Sequence, residues 1–359
     1  MNLSVGIVGL PNAGKSTLFN ALLSKQIANV APYPFCTIEP NVGIVEVPDE
    51  RLEVLAKIVK TEKILPAVVK FIDIAGLVAG AAKGEGLGNQ FLANIRECQA
   101  IVHILRAFDD ADVAREGEVS PKNDLEIIKT ELCLADLQTL AKQKEVNPSV
   151  ATPDDKKRWA TILKVKKALE QGIEVRNLDL SSEELEIIRS LFLLTAKSAL
   201  FVLNIAEKEI GLSEEELIKK YGLQAIGGII PICAKVEMEL ADLNPQERKD
   251  YLKELGLKES GLEKLIKMAY QTLGLQTFLT AGEKEVRAWT INQGDKAPQA
   301  AGVIHTDFEK GFIKAKILSF EDFIKYDGWK GGADTGKVRI EGKEYVMKEG
   351  DVVEFMFNL

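Results

Sequence analysis

Eight residues near the start of the chain, Gly9-Leu-Pro-Asn-Ala-Gly14-Lys15-Ser16, set two glycines, a lysine and a hydroxyl at the spacing G-x-x-x-x-G-K-[ST]. Residues of these types at this spacing hold phosphate. Glycines let backbone N–H groups wrap a phosphate chain with no Cβ in the way, and a helix opening at the end of the loop adds positive potential. Lys15 is spaced to reach the β- and γ-phosphates, and the Ser16 hydroxyl is a hard oxygen for Mg²⁺. A second group follows at Val69-Lys-Phe-Ile-Asp73-Ile-Ala-Gly76, an apolar run ending in D-x-x-G. An Asp at such a strand end holds Mg²⁺, often through water. The Gly76 backbone N–H is suited to the γ-phosphate, which makes the segment after it a sensor. Between the two groups, Pro32-Tyr-Pro-Phe-Cys-Thr37 reads as a switch loop, with Thr37 giving Mg²⁺ a second hydroxyl when triphosphate is bound. An ordinary loop threonine is the plainer alternative.

A third group bears on the base. Guanine-specific relatives of this architecture use N-K-x-D, whose Asp accepts from guanine N1 and N2. Here the run is Asn204-Ile-Ala-Glu207, with Ile in place of the Lys and Glu in place of the Asp. The Asn204 amide offers both a donor and an acceptor, which suits adenine N6 and N7. ATP is therefore expected over GTP, a permissive site being the alternative.

Elements must bring these groups together. Leu3–Val8, Val68–Ile72, Ala100–Leu105, Ala199–Leu203 and Gly228–Cys233 read as buried strands, and Ser16–Leu23 as a helix. Their alternation predicts an α/β fold with a mostly parallel sheet. Between the third and fourth strands the texture becomes helical. Leu125, Ile128, Leu132 and Ala135 fall on one face of a first helix. Trp159, Ile162, Leu163 and Leu169 do so on a second, from about Asp154 to Gln171, after a turn containing Pro148 and Pro153. That pair predicts an antiparallel hairpin inserted in the α/β domain. Beyond Leu275, short strands at Val286–Ile291, Gly311–Ile317, Val338–Ile340, Glu344–Met347 and Val352–Phe357 predict a small β-rich domain.

The composition, 46% hydrophobic and 28% charged over 359 residues, is that of a globular chain with room for two or three domains. A net charge of -8 excludes a generally basic nucleic-acid binder, though not a local basic face. No run approaches the ~18 apolar residues of a membrane span, and the N-terminus has no signal-peptide pattern. Cys36, Cys98, Cys133 and Cys233 stand far apart, which speaks against zinc and a disulfide framework. The expected compartment is the cytoplasm, with no membrane partner.

With these motifs in hand, the chain resembles the YchF family, the Obg-like ATPases, over essentially its whole length. Further runs carry the likeness: Pro34-Phe-Cys-Thr-Ile38, Asp73-Ile-Ala-Gly-Leu-Val78, Gly84-Glu-Gly-Leu-Gly-Asn-Gln-Phe91, Ala288-Trp-Thr290 and His305-Thr-Asp-Phe-Glu-Lys-Gly-Phe312. The resemblance implies a P-loop NTPase of Obg type over residues 1–121 and 191–275. It also implies a helical coiled-coil insert over 122–190 and a C-terminal TGS domain of β-grasp type over 276–359. It implies ATP hydrolysis with Mg²⁺ and association with ribosomes or the large ribosomal subunit. Carried over by position, Asn12, Ala13, Gly14, Lys15, Ser16 and Thr17 would hold the phosphates, Ser16 and Thr37 the metal, and Ile205 the adenine through its backbone. Where relatives often carry a His after the third strand, this chain has Arg115. Its two histidines are His103, inside a strand run and read as core, and His305, far from the phosphates in sequence.

The group that activates water is not evident. Ras-type enzymes place a glutamine after D-x-x-G; here that place is Leu77, so slow intrinsic turnover is expected. Asn12 holding a K⁺ ion, by analogy with relatives, and Arg115 as a cis arginine are the two candidates for stabilising transition-state charge. Lys156, Lys157, Lys164 and Lys167 share one helix face and suit rRNA phosphates, a solvated charged face being the alternative. Two other functions stay open: a GTPase of ribosome assembly, and a nucleotide-gated binding protein with little turnover.

Overall fold

The computed structural model describes residues 4–24, 41–74, 87–109, 118–145, 151–224 and 226–358. In chain order its first elements are β1 (Ser4–Gly9), α1 (Lys15–Ser24), β2 (Val42–Glu46), α2 (Arg51–Val59), β3 (Ile64–Leu65), β4 (Val68–Asp73), α3 (Leu87–Glu97) and β5 (Ala100–Ala107). There follow α4 (Pro121–Ala141), α5 (Pro153–Glu170), α6 (Ser182–Arg189), β6 (Ser198–Ile205), α7 (Glu214–Tyr221), β7 (Ile230–Ile232), α8 (Ala234–Asp242), α9 (Pro245–Glu254) and α10 (Gly261–Thr272). The last strands are β8 (Leu275–Ala281), β9 (Val286–Asn292), β10 (Phe312–Ser319), β11 (Arg339–Glu341) and β12 (Asp351–Phe357), with short helices between β9 and β11.

The chain divides into two units, one of residues 1–44 and 70–265, the other of 45–69 and 266–359. Residues 45–69, assigned from the sequence to the nucleotide domain, thus cluster with the C-terminal part. The helical insert is not a unit of its own.

The first unit is built on a six-stranded sheet of order β2-β4-β1-β5-β6-β7. β1 runs parallel to β4 and β5, β5 to β6, and β6 to β7. β1 and β5 are buried along their whole length, which is why they read as unbroken apolar runs rather than alternating ones. His103 lies within β5, fully buried and stacked on Phe201. Neither of its ring nitrogens has a hydrogen-bond partner. Burial, reinforced by the Arg176 charge, pushes its pKa down to about 3, so the ring is a neutral core residue. It is not the satisfied one expected.

α4 has two apolar faces. Leu125, Ile128, Leu132 and Ala135 join the core against the sheet. Cys133 and Leu140 pack with Ile162, Val165 and Leu169 of α5. On α5 the sequence expectation holds for Ile162 and Leu169, while Leu163 points outward. A Ser120 cap opens α4, and a Thr152–Asp155 capping box opens α5. The buried Asp136 carboxylate ties α4 to the segment that leads into β6. It accepts from the backbone N–H groups of Leu194 and Thr195, each at 2.8 Å, and from the Thr195 hydroxyl at 2.7 Å.

The second unit is a mixed six-stranded sheet of order β11-β10-β12-β8-β9-β3. β3 comes from the segment near the start of the chain and pairs parallel with β9, Ile64 opposite Val286. Leu52 and Leu55 of α2 are buried in this unit. Glu344–Met347, expected as a strand, forms only an isolated bridge at Val346, to Lys296.

Candidate nucleotide site

Because β1, β4, β5, β6 and β7 run parallel, their carboxyl ends lie at one edge of the sheet, where α/β proteins bind ligands. Among the described residues, Gly9 of the phosphate loop, Asp73 and the run from Asn204 lie at such ends. Gly9 closes β1 against Ile104, and a Cβ there would stand 2.7 Å from the Ile104 carbonyl oxygen. Gly14 adopts φ +91°, and a Cβ on it would collide with the Asn204 side chain. Both glycines are thus required by close approach, and the second also by its backbone conformation.

Lys15 opens α1 and is buried, its Nζ donating to the Leu10 carbonyl at 2.7 Å. Burial lowers its pKa, with the Asp73 charge opposing. Asp73, last residue of β4, shows the converse. Burial raises its pKa and the Lys15 charge opposes. One of its carboxylate oxygens, Oδ1, is buried without a hydrogen-bond partner. Asn12, Ser16 and Thr17 are exposed along the loop and first turn of α1, and Ala13 is buried beneath them.

The structure changes the reading of Asn204. Its Nδ2 donates to the Ala13 carbonyl at 3.0 Å, and its Oδ1 accepts from the Ala234 N–H at 3.1 Å. The amide expected to meet adenine directly is engaged at both ends by protein backbone, and ties the phosphate loop to the first turn of α8. Ile205 ends β6 and is buried. Glu207 is exposed, its carboxylate 3.9 Å from Lys235 Nζ. Thr37, Gly76, Leu77 and Arg115 lie outside the described residues.

Three contributors were missed in the sequence. Ala234 and Lys235 follow β7 at the same edge as the other loops. The cue for them was a strand running directly into a helix. Arg106, near the end of β5, is among the largest fully buried side chains and donates from Nη1 to the Asn12 carbonyl at 3.4 Å. Just past the apolar run read as a strand, it offered no cue.

The lysine face of α5 is partly neutralised. Lys157 pairs with Glu183, and Lys164 with Glu184 at 3.0 Å, both glutamates on α6. Cys98, Cys133 and Cys233 are free and buried. Among the described residues no helix is long and apolar enough to cross a membrane.

Residues 4–143 match the family described as 50S ribosome-binding GTPase. Residues 275–358 match the C-terminal family of YchF-type GTPases, described as a protein of unknown function. The chain is 47% identical to the ribosome-binding ATPase YchF of Bacillus subtilis and 49% identical to that of Escherichia coli O157:H7, in each case over 100% of both chains. Among solved structures, the Schizosaccharomyces pombe YchF GTPase aligns with a TM-score of 0.87 at 40% identity, covering 99% of this chain and 98% of that one.

Proposed function

The chain belongs to the YchF family, and on that premise we propose that it is a Mg²⁺-dependent ATPase whose nucleotide state governs its binding to ribosomes in the cytoplasm. The observation that carries the reading is the meeting of Lys15, Ser16 and the partnerless Asp73 oxygen at one sheet edge. The full-length likeness to ribosome-binding ATPases supports the ribosomal half.

The residues present fit Mg²⁺. A hydroxyl at Ser16 and a buried carboxylate oxygen seeking a partner at Asp73 are the hard donors it takes. In phosphate sites Mg²⁺ keeps most of its waters and needs only one or two protein oxygens. Thr37 is proposed as a further ligand. When bound, the metal neutralises charge on the β- and γ-phosphates. The chain's own part is to present the backbone of residues 12–17 and the Lys15 ammonium. Because Lys15 is held by the Leu10 carbonyl, nucleotide binding exchanges that bond for phosphate oxygens. Gly76 is the proposed γ-phosphate sensor. With Leu77 where a glutamine would orient water, turnover by the free protein is slow. K⁺ held by Asn12, or Arg115, supplies the positive charge.

For the base, ATP is favoured. Glu207 is one methylene longer than the carboxylate guanine needs, and Asn204 is engaged with backbone, which leaves the Ile205 backbone to meet adenine. A guanine reading keeps some support from the description of the family matched over residues 4–143. The paired helices α4 and α5 are proposed as the family's coiled-coil insert, with α5 lysines facing rRNA, and the second unit as a TGS domain of β-grasp type.

Titration of the protein with labelled ATP and GTP in Mg²⁺ and KCl tests the proposal. ATP is expected to bind more tightly, and Lys15→Ala to lose it. Tighter GTP binding would replace the adenine reading with the assembly-GTPase one. ATP binding with no turnover, with or without ribosomes, would leave a nucleotide-gated binding protein.

A further inference from the structure

Arg106 and Asn204 stand opposite each other on the neighbouring parallel strands β5 and β6. Each reaches up to the phosphate loop, and they take consecutive carbonyls. Arg106 Nη1 donates to Asn12 O at 3.4 Å and Asn204 Nδ2 to Ala13 O at 3.0 Å. The Arg106 guanidinium also donates from Nε to Phe108 O at 3.2 Å and lies 4.5 Å from the centre of the Phe108 ring. That ring in turn borders Gly14, its nearest atom 3.9 Å from where a Cβ would stand.

The peptide between Asn12 and Ala13 is the step that needs holding. Asn12 is not a glycine, yet it adopts φ +61°, a conformation that asparagine tolerates but does not prefer. In a trans peptide the C=O and N–H point in opposite directions. Fixing the carbonyls of Asn12 and Ala13 toward the sheet therefore fixes where the N–H groups of Ala13 and Gly14 point. A guanidinium suits the task because its planar fork carries several donors at fixed angles and keeps its charge when buried.

We propose that Arg106 is a positioning residue for the phosphate loop, holding the left-handed turn at Asn12 so that the loop is shaped for a nucleoside di- or triphosphate before one arrives. This rests on the nucleotide-site reading above. Arg106 does not touch the nucleotide. It acts through Asn12 and Phe108, while Asn204 holds the next peptide, the one that carries the Gly14 N–H. Preorganisation of this kind appears as binding affinity rather than as rate at saturation. Because the β-phosphate is common to ADP and ATP, the loss on removing it is the same for both.

The test uses the full chain with Arg106→Lys, which keeps the charge but not the fork, and Arg106→Met, which keeps only the stem. Thermal melting without nucleotide establishes folding. ADP and ATP affinities and the split between kcat and KM are then measured. The expected result is an equal loss of ADP and ATP affinity, roughly ten-fold or more for Met and smaller for Lys, with kcat held at saturation. Folded variants that bind both nucleotides as the wild type does would make Arg106 a core residue only and overturn the proposal. Should both variants fail to fold, Phe108→Leu, which removes the ring beside the guanidinium, is read the same way. Unchanged ADP affinity there also overturns it. A wild type that binds neither ATP nor GTP would overturn the nucleotide reading and this proposal together. A normal wild type beside unimpaired variants overturns this proposal alone.

Discussion

Asp73 keeps a carboxylate oxygen buried and without a partner, a costly arrangement unless something else takes it up. Burial raises its pKa against the pull of Lys15. A folded-state pKa above the unfolded one contributes stability below the unfolded value and loses it as pH rises through the folded one. The metal site has the opposite demand, since Mg²⁺ takes the ionised carboxylate. Mg²⁺-dependent tightening of ATP binding should therefore fade as pH falls, beginning above the ordinary carboxylate value of about 3.9. Asp73→Asn should weaken that tightening and flatten its pH profile, read by titrating ATP with and without Mg²⁺ across the acid range. A variant with an unchanged profile would remove Asp73 from the metal site. Lys15, Ser16 and Asp73 were legible in the sequence because their spacing encodes a turn and a strand end. The partners of Asn204 were not. The carbonyl of Ala13 lies 191 residues away along the chain, and only the sheet order brings them together. Arg106 was hidden by its neighbours, since its burial against the loop is set by the third dimension.

At the scale of elements, α4 and α5 were read from periodicity, but α6, which packs beside α5, was not. The two opposing charges on α6 therefore went uncounted. Surface pairs of this kind contribute little to stability; what they change is the field the lysine face presents. Lys156 and Lys167 keep their charge toward solvent, while Lys157 and Lys164 share theirs with Glu183 and Glu184. If this face meets rRNA, Glu183→Gln with Glu184→Gln should tighten ribosome binding and steepen its salt dependence, and Lys156→Gln with Lys167→Gln should do the reverse. Sedimentation with ribosomes at several salt concentrations measures both. Equal binding by the two variants at every salt concentration would remove this face from the interface. The expected strand at Glu344–Met347 failed for a related reason. Its residues carry a strand-like pattern, but only Val346 finds a bridging partner. β8 was missed because an expected domain boundary fell at its first residue.

For the whole molecule, the sheet class and the existence of a C-terminal β unit were legible, and the membership of residues 45–69 was not. α2 is amphipathic and would suit either unit. What decides it is pairing in space, Ile64 with Val286 and Leu65 with Arg287, together with the Lys63–Glu285 pair at 2.6 Å and the Arg51–Glu349 pair at 2.6 Å. Leu55, fully buried on α2, tests this. Leu55→Ala should cost about 2–5 kcal/mol. In hydrogen exchange the loss should appear in β8 and β9, with β1 and β5 protected as before. Loss of protection in β1 and β5 instead would assign α2 to the other unit. The split membership has a consequence for synthesis. The segment 45–69 leaves the ribosome about 200 residues before the strands it must join. At about 5–20 residues per second that is a delay of roughly 10–40 s. For that interval the buried face of α2, Leu52 and Leu55 included, has no native partner. A nascent chain of this protein therefore carries an early, sticky segment for a large part of its translation, and a chaperone that visits growing chains would find it there.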